Sequence, residues 1–253
     1  MILLTRTKER CQETRSKYPG FNFVDFPCIE YSKPSEGYGT LDNAIRKNHH
    51  YEWVFFLSRK AAESFFERLL AIGGNFFNLA THLKFAVIGE ATKDFFENEI
   101  NMPIDFMPSK SNTECFIKEF LEKYSFDFNS EMKILLPRSE LAQDDFKDKL
   151  EAGKNYVIEI VAAYNTVCPS YTQGDLDNFE KDFINIEAIV FASPSSVHNF
   201  NKLFPNLDIS KKKILSSGTL TTKSFKELYP EHRNLTESSK SNINALFDKT
   251  AKD

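Results

Sequence analysis

Residues 53–74 read WVFFLSRKAAESFFERLLAIGG, and the spacing of their apolar residues changes once along the stretch. Trp53-Val54-Phe55-Phe56-Leu57 is apolar throughout, as a strand covered on both faces must be. From Ala62 onward the apolar residues are Ala62, Phe65, Phe66, Leu69 and Leu70, a spacing that predicts one face of a helix. Gly73-Gly74 then stops it. A buried strand running straight into an amphipathic helix is the building unit of a parallel sheet with helices on both sides.

The alternation recurs. Strands are expected at Ile2-Leu3-Leu4, at 21–26, at Phe85-Ala86-Val87-Ile88, at Ile134-Leu135-Leu136, at 157–161, at Ala188-Ile189-Val190-Phe191 and at Lys213-Ile214-Leu215. Helices are expected in the polar stretch after Leu4, over 92–100, around Phe116, Phe120, Leu121 and Tyr124, over 141–150, and around Val197, Phe200 and Phe204. Phe225 and Leu228 mark another, and Ile243, Leu246 and Phe247 close the chain. The fold class is α/β. An internal repeat is legible: Ile2-Leu3-Leu4-Thr5-Arg6 resembles Ile134-Leu135-Leu136-Pro137-Arg138, and Val54-Phe55-Phe56-Leu57-Ser58 resembles Ile189-Val190-Phe191-Ala192-Ser193, both offset by about 130 residues. Gly89-Glu90-Ala91-Thr92 resembles Gly218-Thr219-Leu220-Thr221 at a similar offset. Two similar α/β halves imply two lobes with a cleft between them. Residues 31–37 and 167–170 combine proline with small or polar residues and read as hinges. They divide the chain into one lobe of 1–32 with 169–253 and a second of 33–168.

Composition narrows the function. The 253 residues carry a formal charge of −4, with 41% apolar and 27% charged residues, so no global positive field recruits nucleic acid or anionic lipid. Phe is abundant at 25 copies and Gly scarce at 9, which leaves little room for glycine-rich nucleotide loops. No G-x-x-x-x-G-K-[ST], G-x-G-x-x-G or G-x-S-x-G pattern is present, and the histidines lack H-x-x-x-H spacing. Cys11, Cys28, Cys115 and Cys168 form no C-x-x-C pair, which favours reduced thiols. The amino-terminal apolar run is too short for a signal peptide, and none approaches a membrane span. A cytoplasmic monomer without a nucleic-acid or membrane partner is expected.

The positive signal is positional. Thr5-Arg6, Ser58-Arg59-Lys60, Gly89-Glu90-Ala91-Thr92, Pro137-Arg138-Ser139, Ser193-Pro194-Ser195-Ser196 and Gly218-Thr219-Leu220-Thr221 each fall where a strand is expected to end and a helix to begin. Ligands of open α/β sheets bind outside the carboxyl ends of the strands, and helix amino termini there suit carboxylate or phosphate. Any one of these Ser or Thr residues alone is better read as a helix cap. Their sum reads as an anion-lined cleft. Arg6 and Arg138 are expected at equivalent places in the two halves.

With Val161-Ala162-Ala163-Tyr164-Asn165-Thr166 and Phe191-Ala192-Ser193-Pro194-Ser195-Ser196-Val197, these segments make the chain resemble the uroporphyrinogen-III synthase family over nearly its whole length. The resemblance implies two α/β lobes joined by a two-stranded connector, the first lobe discontinuous. It implies a cofactor-independent lyase of porphyrin and haem biosynthesis that cyclises hydroxymethylbilane to uroporphyrinogen III with the last pyrrole ring inverted. Hydroxymethylbilane synthase is then the upstream donor. By its match to the family's tyrosine, Tyr164 is the expected proton donor to the departing hydroxyl; on spacing alone it is equally a connector residue packing a lobe edge. Arg6, Ser58, Arg59, Lys60, Gly89, Glu90, Ala91, Thr92, Arg138, Ser193, Ser195, Ser196, Gly218, Thr219 and Thr221 are the expected substrate contacts, and no metal is expected. The chain departs from the family pattern at Leu57 (usually Thr), Lys60 (often Asn), Gln143 (often Arg) and Leu220 (usually Thr). The competing reading is a non-catalytic bilobal binder of a polyanion, a degenerate synthase.

Overall fold

The computed structural model describes residues 1–124, 131–142, 145–152, 155–238 and 243–248; Gln143 lies outside them. In chain order the first elements are β1 (Ile2–Leu4), α1 (Lys8–Lys17), β2 (Phe23–Asp25), β3 (Glu30–Ser32), α2 (Gly39–Arg46), β4 (Trp53–Phe56), α3 (Arg59–Ala71) and α4 (Phe76–Ala80). Next come β5 (Lys84–Val87), α5 (Glu90–Phe95) with a π turn over Phe96–Ile100, α6 (Thr113–Tyr124), β6 (Met132–Ser139), α7 (Phe146–Glu151) and β7 (Tyr156–Val167). The chain continues through α8 (Gln173–Asp182), β8 (Ala188–Phe191), α9 (Pro194–Leu203), β9 (Lys213–Ser216), α10 (Thr219–Leu228), β10 (Leu235–Glu237) and α11 (Asn244–Asp248).

Two compact units result, Met1–Tyr31 with Thr166–Asp253 and Ser32–Asn165; the divisions fall within β3 and β7. The strand orders are β10-β9-β8-β1-β2 and β3-β7-β6-β4-β5, with parallel pairing across both sheets from β10 to β2 and from β7 to β5. Numbered within its own unit, the first sheet runs 2-1-3-4-5. The second has the same order, except that its fifth place is taken by β3, the earliest of its strands in sequence. In this arrangement the connections from the first and third strands leave on opposite faces, which opens a crevice at their carboxyl ends.

This topology corrects the internal repeat. An offset of about 130 residues pairs β1 with β6 and β4 with β8, in each case a first strand with a third. The sheets themselves match β1 to β4 and β8 to β6. Arg6 and Arg138 are therefore not equivalent. Fully buried parallel strands all read as short aliphatic or aromatic runs, so the sequence likeness follows burial rather than position.

Side-chain alternation assigns each face of the sheets. In the second unit Trp53 and Phe55 pack with Phe106, Phe116, Phe120 and Phe146, while Val54 and Phe56 pack with Phe65, Phe66, Phe85 and Phe96 on the other side. In the first unit Leu3, Ile189, Phe191 and Ile214 face Phe179, Phe200 and Phe225; Leu4, Val190 and Leu215 face Cys11, Tyr18 and Phe247. Most of the phenylalanines thus fill four layers flanking two sheets. Gly73 takes φ +80° just past α3, the left-handed stop that the Gly-Gly pair predicts.

Several expectations shift. Leu70 is 57% exposed and does not join the buried face of α3. The helix expected over 92–100 divides into α5 and the π turn. Leu141 lies in a turn and is exposed rather than opening a helix, and α7 begins at Phe146. Pro137, Arg138 and Ser139 lie inside β6 rather than at a strand-to-helix corner. Among the described residues no helix is long and apolar enough to cross a membrane.

Candidate functional site

The second unit gathers its polar residues at the carboxyl ends of β4, β6 and β7. Ser58 is the N-cap of α3, its backbone extended at φ −157° and its Oγ accepting from the Ala61 N–H at 3.2 Å. The same Oγ lies 3.3 Å from the Tyr164 hydroxyl. A bulge between β6 and β7 sets up this contact. Arg138 pairs with Ala162 but Ser139 pairs with Tyr164, leaving Ala163 as the extra residue. Ala163 and Tyr164 consequently both join the core on one face of the sheet, where regular alternation would send them to opposite faces. The Glu140 N–H donates to the Tyr164 carbonyl at 2.8 Å and fixes the bulge.

Burial pushes the Tyr164 phenol above its ordinary value, while the Ser58 hydrogen bond and the positive charge of Arg138 pull it back; Glu63 pushes it further up. The phenol is thus protonated at neutral pH, with a hydroxyl partner and a buried cation nearby. Arg138 itself is 7% exposed.

Beside this pair, Arg59 donates through Nε to Glu63 Oε1 and through Nη2 to Glu99 Oε1, both at 2.7 Å. Lys60 stands 3.9 Å from Glu63 and 3.8 Å from Glu67. At the end of β5, Gly89 precedes α5, and a Cβ there would come within 2.7 Å of the Ser111 hydroxyl, which would have to turn aside. The segment carrying Ser111 is tied down by Glu119, whose carboxylate accepts from the Ser109 N–H at 2.8 Å, the Ser109 hydroxyl and the Cys115 thiol. Those donors, Cys115 first, hold the Glu119 carboxyl down at about 2. Glu90 and Ala91 are exposed; Thr92 is buried.

In the first unit the corresponding residues satisfy one another. Thr5 Oγ1 donates to the Val190 carbonyl at 2.7 Å, and Arg6 Nη1 donates to Thr14 Oγ1 at 2.8 Å. Burial, then the charge of Arg10, lowers the Arg6 pKa. Ser193 and Ser196 form a reciprocal capping box on α9, with Ser195 half-buried beside them. Gly218 caps α10 without a side chain, Thr219 donates to Glu237 Oε1 at 2.9 Å, and buried Thr221 lies 3.2 Å from Ser217 Oγ.

Of the residues predicted from sequence, Ser58, Arg138 and Tyr164 come together, with Arg59 and Lys60 on the next turn. Gly89, Glu90, Ala91 and Thr92 form a separate corner of the same sheet. Arg6, the Ser193–Ser196 stretch and the Gly218–Thr221 stretch lie at the ends of neighbouring strands in the first unit. The hydroxyls of Thr92, Ser196 and Thr221 are interior, while Glu90, Thr219 and Leu220 at these corners are exposed. Sequence reasoning passed over Glu63, Glu99 and Ser111. Glu63 was within reach, since it stands four residues beyond Arg59 on one helix face.

Two parallel sheets of one strand order, each with hydroxylic and cationic residues at its carboxyl edge, define a two-unit α/β protein with its polar groups on the ligand side of each sheet. Comparison with known proteins is consistent and more specific. The family model described as uroporphyrinogen-III synthase HemD matches residues 13–248. The chain belongs to the uroporphyrinogen-III synthase family. It is 26% identical over 186 residues to the uroporphyrinogen-III synthase of Synechococcus elongatus, a match spanning 73% of this chain and 66% of that protein. A mutant uroporphyrinogen III synthase from the extremely thermophilic bacterium Thermus thermophilus has the same fold, with TM-score 0.62 and 11% identity over 99% of this chain and 97% of that one. The Helicobacter pylori uroporphyrinogen-III synthetase gives 0.59 at 13% identity, covering 99% and 98%.

Proposed function

We propose that this chain is a working uroporphyrinogen-III synthase, converting hydroxymethylbilane to uroporphyrinogen III by loss of water and inversion of the terminal ring. The family match over 13–248 carries the reading, and the partly buried contact between Tyr164 and Ser58 supports it at the level of chemistry. Departure of the substrate's hydroxyl requires a proton. The Tyr164 phenol supplies it, Ser58 and Arg138 stabilising the phenolate that results. The electron-deficient carbon left behind attacks the substituted position of the last ring; the spiro intermediate opens and recloses with that ring turned over. The proton released at final aromatisation returns to Tyr164, so the enzyme ends as it began and water is the net loss.

Most of the protein's task is conformational, because the substrate closes unaided to the type I isomer. A tenfold preference for one closure requires only about 1.4 kcal/mol, within reach of donors spread over several strand ends. Arg6, Ser58, Arg59, Lys60, Arg138, Ser195, Thr219 and the backbone at Gly89 and Gly218 are assigned to hold the substrate's carboxylates. The four unbridged cysteines support a reducing compartment, and the chain is assigned to the cytoplasm as a monomer.

The test is direct. Hydroxymethylbilane is generated in situ, the purified chain added, the products oxidised and the porphyrin isomers separated chromatographically. Type III product is expected. Type I alone, with tight substrate binding, would instead make the chain a degenerate, non-catalytic binder.

A further inference from the structure

Of the residues assigned to grip carboxylates, Arg59, Lys60 and Thr219 already face carboxylates of the chain itself, and one of these occupants differs from the rest. Arg59 is the first residue of α3, directly after Ser58. Its Nε is held by Glu63 from the same helix, four residues on, with a side chain only 18% exposed. Its Nη2 is held by Glu99, forty residues away on the π turn, with a side chain 51% exposed. That turn is anchored on one side by buried Phe95 and Phe96 and ends at Asn101, which is left-handed at φ 54°. Glu99 therefore extends from a fixed base across to the guanidinium. A π turn inside a helix often marks a functional site.

The charge balance points the same way. Around the start of α3, Glu63, Glu67 and Glu99 face Arg59 and Lys60. An approaching anion meets an Arg59 guanidinium already paired with two acids unless one of them withdraws. Of the two acids on this guanidinium Glu99 is the one that can: it is the exposed one and comes from another element, and pairs so exposed to solvent are held weakly. We propose that Glu99 is an internal stand-in for a substrate carboxylate, holding the Arg59 guanidinium until a multiply carboxylated ligand displaces it. The exchange is one carboxylate for another on the same donor, so no hydrogen bond is lost and Glu99 returns to water. A ligand with many acidic groups wins because its other carboxylates raise the local concentration at Arg59. A ligand with few does not. Glu99 thus sets how many carboxylates a ligand needs, a specificity role resting on the synthase reading above.

Glu99→Gln, Arg59→Gln and the double variant test this, with Glu97→Gln, an exposed acid on the same turn, as the charge control. Two quantities are measured: KM for hydroxymethylbilane, and Kd for uroporphyrin (eight carboxylates) and coproporphyrin (four) by fluorescence. Glu99→Gln is expected to lower KM and the uroporphyrin Kd about three- to tenfold at unchanged kcat, and to improve coproporphyrin binding by a smaller factor, because fewer carboxylates compete for Arg59. Arg59→Gln weakens binding and abolishes the effect of Glu99→Gln. Unchanged or weaker binding in Glu99→Gln, an equal gain in Glu97→Gln, or a gain that persists without Arg59 would overturn the proposal. Type III product together with an inert Glu99→Gln removes the stand-in and leaves the synthase. Tighter porphyrin binding in Glu99→Gln without any type III product removes the synthase and leaves the stand-in.

Discussion

The two units share a strand order but treat their polar strand ends in opposite ways. In the first unit, Thr5 bonds a neighbouring strand, Arg6 bonds its own following helix, and Ser193 and Ser196 cap each other. In the second, Ser58 caps its helix but also reaches the phenol of Tyr164, two strands away in the sheet. Equivalent positions in one topology thus range from local caps to a convergent cluster. The difference comes from one inserted residue, Ala163, which turns Tyr164 inward. A single bulge separates an edge whose hydroxyls bond locally from one where two hydroxyls meet across the sheet.

The comparison can be broken at several levels. The largest expected effect is on stability. Phe55→Ala empties the centre of the aromatic layer formed with Trp53, Phe116, Phe120 and Phe146, costing about 3–5 kcal/mol. Trp53, the chain's single tryptophan, reports that loss by fluorescence in denaturant. A shift under about 1 kcal/mol would mean the layer is not close-packed. Next, the two capping serines separate cap from chemistry. Ser58→Ala and Ser193→Ala should each lose about 1 kcal/mol of stability, but only Ser58→Ala should also lose about tenfold in kcat, because only Ser58 touches Tyr164. Equal kinetic losses would erase the contrast between units.

The smallest effect concerns pH. Glu119 has its carboxyl held at about 2 by Cys115 and Ser109, below the usual range. Its ionised form is favoured by the fold, so its grip on the Ser109 segment is complete above the ordinary carboxylate range and is lost as pH falls through about 2. A carboxyl-carbon NMR titration should find Glu119 still ionised at about pH 3, where an ordinary glutamate is mostly protonated. A midpoint in the ordinary glutamate range would show the segment to be untethered.

What could be read from the sequence follows what burial imprints on it. β4 and β8 are buried at every residue and were legible as apolar runs. β3 and β10 are three-residue edge strands, largely exposed and reading Glu-Tyr-Ser and Leu-Thr-Glu; nothing apolar marks them. α8 was legible and passed over, since Thr172 and Asp175 form a capping box. Ser58 and Tyr164 could be named individually, by the corner rule and by family resemblance. Their contact could not, because a bulge leaves no periodic trace: Ala163 and Tyr164 simply extend an apolar stretch. The acids around Arg59 were hidden for a related reason, as Glu99 reaches it only through a π turn that helical spacing does not anticipate.

The central claim is that the buried Tyr164 hydroxyl donates the proton that starts ring closure by the inverting route. Tyr164→Phe removes that oxygen and keeps the ring. The ratio of type III to type I uroporphyrin formed from hydroxymethylbilane, with far-UV circular dichroism confirming the fold, is therefore the most direct measurement. A fall in type III turnover of about a hundredfold, with type I taking over, is predicted. An unchanged ratio at an unchanged rate would contradict the account.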